Sequence, residues 1–107
     1  DQPTLLFMHH PPFSISLGDS SYFEYDQPDS IRKFCNLIQN YKQVIGIFCG
    51  HIHRTYNTTL GNIEANVMPS IALDLSQERI TNKVHLPVYH LHKFYGGLRY
   101  ETEIRNT

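Results

Sequence analysis

Two stretches decide the fold: Thr4-Leu5-Leu6-Phe7-Met8-His9-His10-Pro11-Pro12 and Val44-Ile45-Gly46-Ile47-Phe48-Cys49-Gly50-His51-Ile52-His53. Each opens with an unbroken apolar run, the pattern of a short strand buried on both faces. Each then ends in histidine. Pro11 and Pro12 stop the first strand, because they remove two ladder donors and push the preceding residue to extended geometry. Between the two stretches, Ile31, Phe34, Cys35, Ile38 and Tyr41 recur at helical spacing and form one apolar stripe. Asp29 or Ser30 supplies a cap, and the helix should end near Asn40 or Tyr41. Strand, loop, helix, strand is a βαβ unit, so the strands should lie parallel with a right-handed crossover.

Outward from this unit the pattern changes. Residues 13–27 form a long polar loop carrying Tyr22, Phe23 and Tyr25, suited to a substrate rim or to folding onto itself. Segments 54–60 and 63–68 flank Gly61-Asn62, a two-residue hairpin turn. A short strand is expected over 70–75, followed by a polar stretch to Pro87. Segments 88–94 and 98–105 flank Tyr95-Gly96-Gly97 as a second hairpin. In it, Leu98, Tyr100, Thr102 and Ile104 should point to a half-buried face. The fold class is therefore α/β, a βαβ unit followed by antiparallel hairpins.

The composition excludes several function classes. Nine Lys+Arg against ten Asp+Glu leave a net charge of −1, which favours neither nucleic acid nor an anionic membrane. No apolar run approaches the roughly 20 residues of a membrane-spanning helix. Cys35 and Cys49 lie in apolar segments and read as two buried free thiols in a reducing, cytoplasmic setting. The chain begins Asp1-Gln2-Pro3 directly against an apolar strand, with neither initiator Met nor secretory pattern, and reads as a segment of a longer protein.

Seven histidines are the chemical signature. If the two apolar strands are parallel, their C-terminal ends share one sheet edge, where ligands of open α/β sheets gather. His9, His51 and His53 then converge. Gly50 lets the backbone turn or approach an ion. His51 and His53, two apart, share a side in extended geometry. Three imidazoles suit a borderline-soft ion such as zinc, manganese or iron. Arg54 reads as a solvent-exposed hairpin arginine. His90 and His92 read as an exposed strand face, and His85 receives no role.

Phe7-Met8-His9-His10-Pro11-Pro12-Phe13 followed by Phe48-Cys49-Gly50-His51-Ile52-His53-Arg54 resembles the calcineurin-like metallophosphoesterases, particularly the bacterial class III cyclic AMP phosphodiesterase branch. The likeness covers nearly all of residues 1–107, read as the C-terminal half of that family's four-layer αββα sandwich. It implies two divalent ions (Mn, Fe or Zn) about 3.5 Å apart, whose shared water attacks phosphorus in line. It assigns His9 and His51 to one ion and His53 to the other, with His10 toward the phosphate, supporting a ligand from behind, or idle in its turn. The family's Asp-x-His, Gly-Asp and Gly-Asn-His-Asp/Glu motifs do not precede His9 here: Gly18-Asp19 comes after it, in the wrong order, and Gly61-Asn62 is followed by Ile63-Glu64 rather than His. The bridging aspartate, the asparagine ligand and the acid histidine are therefore expected upstream or from another chain.

The implied activity is metal-dependent hydrolysis of a small phosphodiester such as a 3',5'-cyclic nucleotide by the longer protein, with residues 1–107 alone inactive. Half a sandwich exposes apolar surface, so a homo-oligomer or strand-exchanged dimer is expected. The rival reading is a non-enzymatic, His-rich metal-binding or interaction module. A third, the His-x-His of amidohydrolase barrels, fits poorly because that pair should come early and be followed by further strand-end ligands.

Overall fold

The computed structural model describes residues 2–17, 20–22, 28–71, 88–97 and 99–106. Strands β1 (Thr4–Met8), β2 (Ile15–Leu17) and β3 (Ser20–Tyr22) precede helix α1 (Pro28–Ile38). Strands β4 (Val44–Cys49), β5 (Tyr56–Leu60), β6 (Ile63–Val67), β7 (Val88–Phe94) and β8 (Tyr100–Asn106) follow. Four of them form a mixed sheet in the order β1-β4-β6-β5. β4 runs parallel to β1 on one side and to β6 on the other, and β5 closes the sheet antiparallel to β6. β2 pairs with β3, and β7 with β8, as separate antiparallel hairpins.

The expected βαβ unit is present, with differences at its edges. α1 begins at Pro28, whose fixed φ and missing N–H suit the first helical position. Asp29 and Ser30 therefore sit inside the first turn, where Asp29 pairs with Arg32 at 3.2 Å. Tyr41 lies beyond the helix and is exposed, because a tighter turn through Asn40 and Tyr41 ends the α-helical register at Ile38. The segment after Pro12 is not plain loop. It holds the β2–β3 hairpin, pinned by Phe13 and fully buried Ile15. Burying an isoleucine contributes roughly 1.5–3 kcal/mol, enough to fix the chain leaving Pro12. Ser70 and Ile71 are not strand; the rest of the strand expected there, Phe23, Tyr25 and His85 lie outside the described residues.

Side-chain parity gives the sheet two faces. Ile47, Cys49, Ile63, Ala65 and Val67 form the core with Phe13, Ile15 and Ile38, and Leu6, Met8 and Phe34 pack on it. The other face carries Phe7, Gly46, Phe48, Glu64 and Asn66. Phe48 is fully buried there, but Phe7 is 68% exposed and stacks on Phe48 at 5.2 Å. β1 is thus buried on one face rather than two, because β7–β8 covers Phe48 and not Phe7.

The second hairpin docks through one end. The Tyr100 ring sits 5.6 Å from Phe48, and its hydroxyl accepts from Asn66 Nδ2 at 3.1 Å. Burial first, then a hydrogen bond to Glu64, pushes that phenol up to about 12. Ile104, expected on the half-buried face, is 63% exposed. His90 and His92 share the parity of Tyr100, so they are not an exposed face. Both are half-buried, and the His92 ring lies 4.4 Å from Phe48. Outside, Glu103 binds Lys93 and both Nε and Nη2 of Arg105. Such exposed pairs are screened by solvent and add little to stability.

Two predictions follow from this docking. Alanine in a strand interior ordinarily gains roughly 0.5–1 kcal/mol over glycine. At Gly46, however, a Cβ would lie 3.0 Å from both Tyr100 Oη and Phe48 Cε2. Overpacking of about 1–3 kcal/mol then wins. Urea unfolding should show Gly46→Ala destabilised, and adding Tyr100→Phe should cost less than the sum of the single changes. Burial lowers the pKa of His90, helped by neighbouring His92, and burial lowers that of His92. The folded state therefore binds fewer protons than the unfolded state just below the ordinary imidazole value of about 6.5. Stability is full above that pH and falls as the pH drops toward the lowered folded values. Urea titrations in chelator should show this loss, and His92→Gln should flatten it; an unchanged slope would contradict the assignment.

Candidate metal centre

The parallel pairing of β1 with β4 ends at Met8 opposite Cys49. The ladder continues one step further, where Gly50 N–H donates to the His9 carbonyl at 3.0 Å. On the other flank Met68 N–H donates to the Cys49 carbonyl at 2.9 Å. The C-terminal end of β4 is thus held from both sides, and the chain beyond it starts from a fixed point beside His9.

The expected convergence is present for His9 and His51, with His10 as third member. Ring centroids are 5.2 Å apart for His9–His51, 4.4 Å for His10–His51 and 4.9 Å for His9–His10. One ring nitrogen from each lies within 4.8 Å of the others. Bonds of 2.0–2.1 Å to a tetrahedral ion would set those nitrogens about 3.3 Å apart. His9 is exposed and the other two are half-buried, so modest ring rotations close the gap. The donor set fits one borderline-soft divalent ion with coordination positions to spare.

The loop that carries His51 is strained. Ile52 N–H donates to the Gly50 carbonyl at 2.9 Å, closing a γ-turn centred on His51. His51 has φ +73° and His53 φ +56°. The left-handed region costs an L-residue roughly 1–2 kcal/mol, and a positive φ characterises the rarer, strained γ-turn. Two such residues within three positions are therefore held against a local penalty. The extended His51–His53 geometry expected from the sequence is absent. Gly50 does not make the turn: its φ is not positive, and a Cβ there would meet the His9 ring at an ordinary 3.6 Å.

His53 stands outside the cluster of three. It is half-buried, and its Nδ1 is buried with no hydrogen-bond partner among the described residues. An unpaired buried polar atom costs about 1–3 kcal/mol, and metal coordination is one way such a nitrogen is satisfied. Arg54 is half-buried rather than solvent-exposed. Cys49 is no competing ligand, because it faces the core and burial pushes its thiol up to about 11. Cys35 is also a free thiol, 3.8 Å from the Pro12 carbonyl. A crevice of about 530 Å³ bordered by Asn57, Glu64, Asn66, Tyr100 and Thr102 is separate, and no histidine lines it among the described residues.

Sequence reasoning placed His10 on the substrate side and missed it as a cluster member. Its adjacency to His9 ahead of two prolines was the available signal, since a residue before proline is held extended. It also missed the contact of Thr55 with His90, which the shared parity of His90 and Tyr100 could have suggested.

No protein-family model matches the chain. It is 32% identical over 83 residues to a probable glycerophosphodiester phosphodiesterase of Arcobacter nitrofigilis, covering 73% of this chain and 29% of that protein. It is 26% identical over 106 residues to a 3',5'-cyclic-nucleotide phosphodiesterase of Nostoc sp., covering 97% and 39%. It is 25% identical over 103 residues to a probable cyclic nucleotide phosphodiesterase of Rhodopseudomonas palustris, covering 96% and 36%. The chain thus spans well under half the length of the curated relatives it matches. No helix among the described residues is long and apolar enough to cross a membrane. The two histidine motifs and these named relatives agree: the chain is related in sequence to the phosphodiesterases of the metallophosphoesterase superfamily.

Proposed function

We propose that these residues supply the histidine side of a divalent metal centre in a phosphodiesterase. The carrying observation is the cluster of His9, His10 and His51, drawn from two parallel strand ends, with His51 in a strained turn. Divalent ions bound there would activate water and stabilise charge on the phosphoryl oxygens. The chain's own residues position that chemistry. In this reading His9 and His51 would hold one ion and His53 a second, with His10, third of the cluster, beside the first ion on the phosphate side. His53 Nδ1, buried and without a partner among the described residues, supports the role of His53. Aspartate and asparagine ligands come from outside these residues and complete a four-layer sandwich.

The names of the relatives support a small phosphodiester substrate, with a cyclic nucleotide favoured because two of the three are named for one, and the 3',5' form because one of those two names specifies it. Manganese, iron and zinc all suit the donors. A non-enzymatic metal-binding module is the second reading, favoured by a cluster made of imidazoles alone.

Activity separates the two. A polypeptide carrying residues 1–107 together with the aspartate- and asparagine-bearing motifs should hydrolyse bis(p-nitrophenyl) phosphate with Mn²⁺. His51→Ala should lower that rate on the order of a hundredfold or more. Residues 1–107 alone should bind the ion without turnover. Absence of turnover by the longer, metal-loaded polypeptide would leave the binding module as the function.

Strain gives a test that needs no substrate. Glycine at position 51 relieves roughly 1–2 kcal/mol of left-handed penalty and returns roughly 0.5–1 kcal/mol through unfolded-chain entropy. In chelator, His51→Gly should therefore be at least as stable as the parent chain while losing metal affinity. Loss of chelated stability in urea would mean that the turn is not strained for function.

A further inference from the structure

We propose that His90 is a positioning residue for the metal-binding loop, reaching from the β7–β8 hairpin to hold Thr55 and, through it, the left-handed turn that presents His51 and His53. The proposal rests on the metal-centre reading above.

Two residues at positive φ need surroundings that over-determine them. The first half of the loop has such surroundings. Gly50 is tied to His9, Ile52 N–H closes the γ-turn, and the Ile52 side chain packs against the core. The second half leaves His53 and must reach β5 at Tyr56. It is tied by a side chain from the opposite layer: Thr55 Oγ1 and His90 Nε2 hydrogen-bond at 3.2 Å.

The hairpin is a suitable anchor. Two residues along β7, the His92 ring contacts Phe48 at 4.4 Å, while His92 Nδ1 pairs with Thr102 Oγ1 at 2.8 Å across the hairpin. Tyr100 seats the same face over Gly46. His90 therefore projects from a strand whose position is set by the sheet that also ends in His51. Its Nδ1 is buried without a partner among the described residues, so the bond to Thr55 is the polar contact the ring makes there. A ring whose burial favours the neutral form fits a hydrogen-bonding post better than a charged one. Removing a group that orients metal ligands from behind typically costs about 10- to 100-fold in metal affinity.

The test is Zn²⁺ affinity of the 107-residue chain, by competition with a chromophoric chelator, beside urea stability in excess EDTA. His90→Leu and Thr55→Val should each weaken Zn²⁺ binding about tenfold, and the double variant should be no weaker than either single. His90→Gln and Thr55→Ser, which keep a hydrogen-bonding group, should restore most of the loss. A purely structural lock would lower EDTA stability and leave Zn²⁺ affinity of the folded fraction unchanged, which overturns the proposal. Independent addition of the two single effects also overturns it. If His90→Leu does not fold, Thr55→Val against Thr55→Ser decides by the same affinity ratio. Wild-type affinity no better than that of His9→Ala would overturn the metal-centre reading and the proposal with it. Wild-type binding untouched by these four variants overturns the proposal alone.

Discussion

The parallel register of β1 with β4 is the constraint on which the rest depends. Parallel strands end at the same sheet edge, so the residues that follow them meet without any further element to bring them together. The pairing of Met8 with Cys49 and the extra bond from Gly50 to the His9 carbonyl fix that meeting to within one residue. A slip of one residue would move every side chain of β4 to the opposite face. Ile47 and Cys49 would leave the core, and Phe48 would leave the hairpin. The packing that stabilises the sheet is thus the same packing that sets His51 beside His9.

Beyond β4 the molecule holds a conformation that its local sequence disfavours. Positive φ at His51 and His53 opposes the ordinary preference of L-residues, and neither position carries the glycine that would remove the cost. Glycine would supply the turn but no imidazole. The retained histidines have physical sense if the ring nitrogens matter more than the strain. The buried Nδ1 of His53, without a partner among the described residues, points the same way.

The two faces of the sheet divide the labour. On the helix side, apolar burial by α1, Phe13 and Ile15 supplies stability. On the hairpin side the contacts are mixed. Phe48 is buried under His92 and Tyr100, Asn66 donates to the Tyr100 hydroxyl, and Thr55 meets His90. Polar contacts of this kind contribute little net energy but are directional. They suit a layer that must sit in one place over the sheet and the loop at its end. Phe7, left 68% exposed at the edge strand, marks where this layer stops.

By itself the sequence determined the main elements and their chemistry, though not the β2–β3 hairpin. Apolar runs ending in histidine, a helical stripe between them and glycine-bearing turns specify βαβ and two hairpins, because periodicity and turn residues act over a few positions. The resemblance carried by His-His-Pro-Pro and Gly-His-x-His pointed to the same class as the relatives. Only the tertiary structure decided three things. It put His10 rather than His53 in the cluster, since the γ-turn after Gly50 rotates His53 away from the extended alternation that a linear reading assumes. It buried one face of β1 instead of two, since coverage depends on where the second hairpin lands. It turned His90 and His92 inward, because strand parity is local but the face that becomes the interior is chosen by packing across the whole fold.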